Sequence, residues 1–549
     1  MSSIERTEVS YGPDTSSINP ILPSYEYIPD AEPKLFGDRV YLYGSHDLAG
    51  TGNMCEGDYV TWSASVHDLT SWRYEGVIFR RDQDPFLGAQ MAAGTADPLL
   101  HNLFAPDVVE VEGRYYLYYG VGLSASGIGV AVADSPAGPF EYLGRVRFPD
   151  SEKPAGWVDD VDGIDDGDMA FGGGVAVIER PAGKRMRIHP RNAKRFMYDP
   201  SVIYDEGRLF LYYGLASCRV VELDPRDMRT VIRDAATGEY ASRVLVPSIM
   251  VPSTWPGLIR TRGMGMANGP SIRKIDGRYV LVYYAVGPRA TNAMCYATAT
   301  DPRGPFEYGG ILVSLGNVRH NGQKRPTDKV GNTHGGMIEI YGTWYLLYHR
   351  QTGRTQGSRQ ATAVALTPTE DGGFQHAEYT SLGFSKDALP AFHRWPAAMA
   401  CVLTDANGRR PARKSAPYIT QVEAADGLVD GQSGLRVAQV VTNLTAGAII
   451  GVKHLDFGSD ARAATVSVLT RRTGGGRVEV RLDASDGPMI ADIPLAPTTP
   501  GATTSTARTA AVSGRHALYF VFHCAQTTGE FVEFAFDQTP TAPDRMPTT

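Results

Sequence analysis

The chain has 549 residues, 42% of them hydrophobic and 21% charged, with a formal net charge of −7 at pH 7. That balance excludes a disordered chain, and the mild acidity offers no basic face to nucleic acid or to an anionic membrane surface. Sixty glycines and 28 tyrosines fit strands and turns better than a helical bundle.

The opening stretch MSSIERTEVSYGPD lacks a basic segment followed by an apolar one, so no signal peptide is expected there. No run reaches the ~18 apolar residues of a membrane span. The cysteines Cys55, Cys218, Cys295, Cys401 and Cys524 are odd in number, far apart and without a CxxC pair. This favours free thiols and a cytoplasmic location over a disulfide framework or a zinc site.

Across residues 1–385 one pattern recurs five times: a glycine, one or two polar residues, then an aromatic-rich strand. The copies are GDRVYLYGS from Gly37, GRYYLYYG from Gly113, GRLFLYYG from Gly207, GRYVLVYYA from Gly277 and GTWYLLYHR from Gly342. A short apolar strand precedes each, which makes a hairpin. An alternating third strand and an edge-like fourth follow, and DSPAGPFEYLG from Asp134 nearly repeats in DPRGPFEYGG from Asp301. Five units of four antiparallel strands predict a five-bladed β-propeller. Residues 386–417 are rich in Pro, Ala and Arg and read as a linker or strap. Residues 418–538 return to short alternating strands and predict a β-sandwich, and 539–549 read as a disordered tail. The predicted class is all-β.

In a propeller the leading ends of the innermost strands converge on the axis. Those positions carry Asp30, Asp107, Asp199, Asn268 and His334. Each Asp alone reads equally well as a turn or strand cap. Together they form a group of carboxylates and a histidine that a structural repeat does not need. The acidic run DDVDGIDDGD from Asp159 to Asp168 is read as a solvated loop rather than a Ca²⁺ site, because its spacing does not match an EF-hand.

The stretches SYEYIPDAEPKLFGDRVYLYGSHD, FAPDVVEVEGRYYLYY, YDPSVIYDEGRLFLYYG, GPSIRKIDGRYVLVYY and NTHGGMIEIYGTWYLLYHR resemble glycoside hydrolase family 43 over about residues 18–385. PYITQVEAADG and GAIIGVKHLDF more weakly resemble a family 6 carbohydrate-binding module. The resemblance implies inverting hydrolysis of β-xylosides, α-L-arabinofuranosides or related furanosides, with two carboxyl groups roughly 6.5–9.5 Å apart. Asp30 would be the general base and Asp199 the carboxylate that raises the pKa of the acid. His46, Asp47, Phe104, Asp107, His334 and Arg359 would line the sugar site, and His334 would hold either a cation or a water at the axis. Glu423 and Asp537 flank the sandwich where related modules hold a structural Ca²⁺. No cofactor is otherwise implied, and the expected partner is an oligosaccharide or small glycoside.

One residue departs from the family pattern. Where a Glu is expected as the acid, this chain has Asn268, in NGPSIRK. An amide does not protonate a glycosidic oxygen, and general acid catalysis contributes about 10²–10⁴-fold. Several explanations stay open: an engineered replacement, another acid (Glu56, Asp107 or His46), a leaving group needing little protonation, or a sugar pocket without turnover. The expected function is an exo-acting glycosidase; the alternative is a sugar-binding propeller.

Overall fold

The computed structural model describes residues 17–96, 101–121, 127–148, 177–179, 185–187, 198–214, 218–233, 243–244, 265–287, 291–355, 357–410, 415–429, 436–497, 501–524 and 529–538. The acidic run at 159–168 and the terminal segment 539–549 lie outside them.

The glycine-centred hairpins form where expected. Glu112–Gly113, Glu206–Gly207, Asp276–Gly277 and Tyr341–Gly342 each have positive φ at both residues. They link paired strands through two-residue loops, Val111 facing Arg114 and Ile340 facing Thr343, for example. That geometry matches the right-handed twist of the flanking strands. A Cβ on these glycines would meet nothing within 4 Å, so backbone conformation and not crowding selects glycine.

The first blade comprises Glu32–Phe36, Arg39–Tyr43, Tyr59–Ser65 and Asp68–Phe79. The second comprises Leu103–Val111, Arg114–Val121, Ile128–Ala133 and Glu141–Arg145. The third runs Ser201–Asp205, Arg208–Tyr213, Arg219–Leu223 and Arg243–Val244. The fourth holds Gly265–Ile275, Arg278–Gly287, Thr291–Ala299 and Glu307–Ser314. The fifth sheet has three strands, Met337–Ile340, Thr343–Gln351 and Arg359–Leu366. Its outer edge is covered by the N-terminal segment, where Ile21 N–H donates to the Ala361 carbonyl (3.0 Å) and Asn19 bonds Ala363 and Thr380. All blade pairings are antiparallel in sequence order.

Five apolar clusters sit between neighbouring blades and close the ring, the last joining blade one to blade five through Val40, Trp62, Tyr345 and Leu347. Strands buried on both faces explain the aromatic hairpins. Leu117 and Tyr119 face blade one, whereas Tyr118 faces blade three. The buried phenols find carbonyls in the next blade: Tyr43 donates to Pro136 (2.6 Å), Tyr118 to Met228 (2.5 Å) and Tyr212 to Pro302 (2.5 Å). Pro136 and Pro302 belong to the two nearly repeated segments DSPAGPFEY and DPRGPFEY, so the repetition reflects a common inter-blade bond.

Two further six-stranded sheets pack over one core of Ile450, Val466, Val480, Ile493, Phe520 and Phe534 as a β-sandwich. The segment read as a linker or strap supplies three of their strands. Leu389–Pro390 and Val402–Thr404 pair with Ala448–Asp456, and Arg394–Pro396 pairs with Glu530–Gln538. At two or three residues each and punctuated by proline, they carry no alternation to reveal them.

Candidate active site at the propeller axis

Four of the five inner strands carry a residue with positive φ just before them or at an irregularity near their beginning: Asp30 (58°), Ala105 (35°), Asp199 (47°) and Gly269 (67°). His334 takes the corresponding place in blade five. These five are equivalent around the ring, and the residues two positions later (Glu32, Asp107, Ser201, Ser271 and Gly336) form a second, deeper layer.

In the upper layer the Asp30 carboxylate is buried among cations and donors. Ser45 Oγ donates to Asp30 Oδ2 (2.5 Å) while accepting from Ala105 N–H (2.7 Å). Oδ1 lies 3.4 Å from His349 Nδ1, and 3.7 Å from both His334 Nδ1 and Arg359 Nη1. Burial alone would raise its pKa, but the Arg359 guanidinium above all, with the Ser45 hydrogen bond, outweighs it and holds Asp30 below the usual aspartate value. His349 accepts from the Asp30 backbone N–H at Nδ1 (3.0 Å), and burial pushes its pKa down to about 3, so it is neutral. Arg359 is itself clamped by Asp47, with Nε to Oδ2 at 2.9 Å and Nη2 to Oδ1 at 2.8 Å. Such fork-to-carboxylate pairs fix geometry as well as charge.

Asp199 has the opposite environment. Burial and the Asp30 charge raise its pKa well above the usual value. The Asn268 amide donates to its Oδ2 at 2.7 Å. Asn268 sits one residue before the special position, in line with Phe104 and Tyr198, whose rings lie 5.7 Å apart and wall the group. A Cβ at Gly269 would come within 2.6 Å of the His334 ring, which explains the glycine beside Asn268.

The family model for glycosyl hydrolases family 43 matches residues 18–165 and 165–374. The chain belongs to glycosyl hydrolase family 43. A carbohydrate binding module (family 6) model matches residues 429–538. A xylosidase/arabinosidase of Thermoclostridium stercorarium is 33% identical over 530 residues, covering 92% of this chain and 95% of the relative. An arabinoxylan arabinofuranohydrolase of Bacillus subtilis is 25% identical over 533 residues, covering 91% and 88% respectively. A crystal structure of a family 43 arabinoxylan arabinofuranohydrolase from Bacillus subtilis, in complex with cellotetraose, covers 95% of this chain and 97% of its own at 23% identity and a TM-score of 0.44. This family 43 member is accordingly a glycoside hydrolase.

Within this family 43 propeller the structure gathers Asp30, Asp199, Asn268, His334, Arg359, Asp47 and Phe104 around one group. Asp107 does not belong to it. It lies in the deeper layer, paired with Lys34 Nζ (2.7 Å) and accepting from Ser201 Oγ (3.0 Å) and Val202 N–H (2.8 Å). The APD of blade two imitates the YDP of blade three, yet the blades align two residues apart, with Ala105 opposite Asp199. The Asp107 carboxylate oxygens are thus engaged by Lys34, Ser201 and Val202, one layer away from the Asp30–Asp199 group. Its network continues through Glu32 to Arg273, which also donates to the carbonyls of Pro33 and Met337. Lys34→Met should leave Asp107 and Glu32 short of a cation and cost about 3 kcal/mol of stability, read from urea unfolding.

His46 is also occupied: Nε2 meets Glu26 Oε1 and Nδ1 meets the Asp58 carbonyl, both at 2.9 Å. Arg359, expected to touch sugar hydroxyls, instead spends its donors on Asp47 and on Cys55 Sγ (3.0 Å). Glu56 accepts from Asn53 (2.7 Å). His334 Nδ1 and the Arg359 guanidinium face the same Asp30 oxygen, each at 3.7 Å. Among the described residues no cluster of three or more His, Cys, Asp or Glu is arranged for a metal. The Glu423 side chain lies outside the description, and Asp537 is exposed. Ser45 and His349 were missed in the sequence; the one available signal was a histidine inside the otherwise aromatic hairpin YLLYHR.

Proposed function

We propose that this glycoside hydrolase is an inverting, exo-acting enzyme that removes α-L-arabinofuranosyl, related furanosyl or xylosyl residues from short oligosaccharides in the cytoplasm. The observation that carries the reading is the pairing at the axis of two carboxyl groups in opposite surroundings: Asp30 beside the Arg359 guanidinium and the Ser45 hydroxyl, and Asp199 buried beside Asn268. Asp30 takes a proton from water as the water oxygen bonds to the anomeric carbon. The bond to the leaving oxygen breaks, its electron pair stays on that oxygen, and Asp199 is the nearby carboxyl with a proton to give. Two groups with pKa values driven apart are the usual mark of base and acid. The relatives' names, xylosidase/arabinosidase and arabinoxylan arabinofuranohydrolase, support the sugar class. A cytoplasmic enzyme meets short imported oligosaccharides, which favours exo action.

A second reading, a sugar-binding protein with little turnover, is favoured by one observation: the acid position holds an amide committed to Asp199. A panel of aryl arabinofuranosides, galactofuranosides and xylosides, with product anomers followed by NMR, separates the two. The hydrolase reading expects the inverted anomer first; a retained anomer, or no turnover on any member, defeats it. The pH profile is a further check. A depressed base pKa is satisfied above that value, so kcat/KM should hold down to pH values below the ordinary aspartate range. A raised acid pKa keeps its proton below that value, so activity should fall only on the alkaline side as Asp199 ionises.

A further inference from the structure

The sandwich reaches the active site through two glutamines. Gln421 and Gln439 are directly opposite each other on the antiparallel strands Tyr418–Val429 and Arg436–Thr442. Both aim their amides at one phenol: Gln421 Nε2 donates to Tyr27 Oη at 2.5 Å and Gln439 Nε2 at 2.8 Å. The same Gln439 nitrogen donates to Gln360 Oε1 at 2.9 Å. Gln439, Tyr27 and Gln360 are all buried. A module tethered only to bring the propeller near a polysaccharide would have no need to bury a polar pair in this way, since each buried amide costs free energy unless bonded.

The two propeller partners lead directly to the axis. The Tyr27 carbonyl accepts from Asp47 N–H (2.9 Å), and Asp47 clamps Arg359. Gln360 follows Arg359 in the chain and donates to the Glu26 carbonyl (3.2 Å). The Glu26 carboxylate in turn accepts from Trp62 Nε1 and pairs with His46. A second contact supports the docking: Arg354, in the loop before Arg359, lies over the Tyr418 ring at 4.8 Å.

We infer that Gln439 is a positioning residue for the propeller's active site, holding Tyr27 and Gln360 and through them the Asp47–Arg359 pair beside Asp30. The inference rests on the reading of Asp30 as the base. The groups that face Asp30 are Arg359, His349 and His334 on blade five, Ser45 on blade one and Asp199 on blade three. Of these, Arg359 is tied to the sandwich through Asp47 and Tyr27 and through its chain neighbour Gln360. The sandwich is thus part of the catalytic apparatus as well as a separate module.

The test uses the full chain. Gln439→Leu keeps the bulk and removes both donors. It should lower kcat on the order of tenfold with little change in KM, less than the ~10²-fold of a 1 Å misplacement. The acidic limb of kcat/KM should move to higher pH as Arg359 loosens from Asp30. Gln421→Leu, which removes one of the two donors to Tyr27, should shift the limb less and in the same direction. Ile493→Val, in the sandwich core away from the propeller, should lower Tm and leave the limb in place. A crystal structure of Gln439→Leu reads the inference without turnover. A displaced Asp47–Arg359 pair supports it, and an unchanged pair with an unchanged limb overturns it. If the unaltered protein hydrolyses nothing, the proposed function fails, while the crystal structure still decides the role of Gln439.

Discussion

Asn268→Glu is expected to raise kcat on arabinofuranosides with alkyl or sugar leaving groups by about 10²-fold, the lower end of what general acid catalysis contributes. The gain is set at that end because Asp199, whose pKa burial and the Asp30 charge raise, already stands beside position 268. Nitrophenyl substrates, whose leaving oxygen is stable as an anion, should gain far less. The plot of log kcat against leaving-group pKa, steep in the unaltered protein, should flatten in the variant. The Asp30 charge would help the new carboxyl retain its proton, as it does for Asp199. Equal gains on both substrate types would contradict an acid role, and no gain on either would favour the sugar-binding reading.

Asp30→Asn should reduce kcat by about 10²–10⁴-fold while leaving sugar affinity, measured by calorimetry, close to unchanged. The amide keeps the size of the side chain and can still meet Ser45. It cannot take a proton from water. The fold should tolerate the change, because Arg359 keeps its bidentate partner Asp47 and is not left as an uncompensated buried charge. Activity equal to that of the unaltered protein would remove Asp30 from the role of base. The stability control is Asp47→Asn, which strips the Arg359 clamp and should lower Tm more than Asp30→Asn does.

The five hairpins were legible because a two-residue turn with positive φ selects glycine, and strands buried on both faces select aromatic and β-branched residues. Asp30, Asp199 and Asn268 were legible for the same reason, since they stand just ahead of those strands. Asp107 stands two residues on from the position that matches Asp30, because register is a matter of backbone conformation. The residue that matches Asp30 in blade two is Ala105, which carries no chemistry to announce itself. The partners that set the pKa values came from elsewhere. His349 lies on a second strand, where a polar residue looks like a gap in a core pattern; Ser45 lies two residues past the end of one, and the Arg359–Asp47 pair joins residues 312 apart. The short strands at 389–404 were hidden because proline-rich pieces of two or three residues have no periodicity.

The seam between the N-terminal segment and blade five has a consequence for synthesis. Asn19 and Ile21 complete that blade by bonding Ala361, Ala363, Thr380 and Ser381. At about 5–20 residues per second, translation delivers residue 381 roughly 20–70 s after residue 19. Throughout that interval the apolar flank of blade one, with Val40, Leu42 and Trp62, has no neighbour to cover it. A nascent chain in that condition is a natural client for chaperones and a ready source of strand-to-strand aggregates. Ribosome-bound intermediates should therefore stay protease-sensitive until blade five emerges, and then become resistant together.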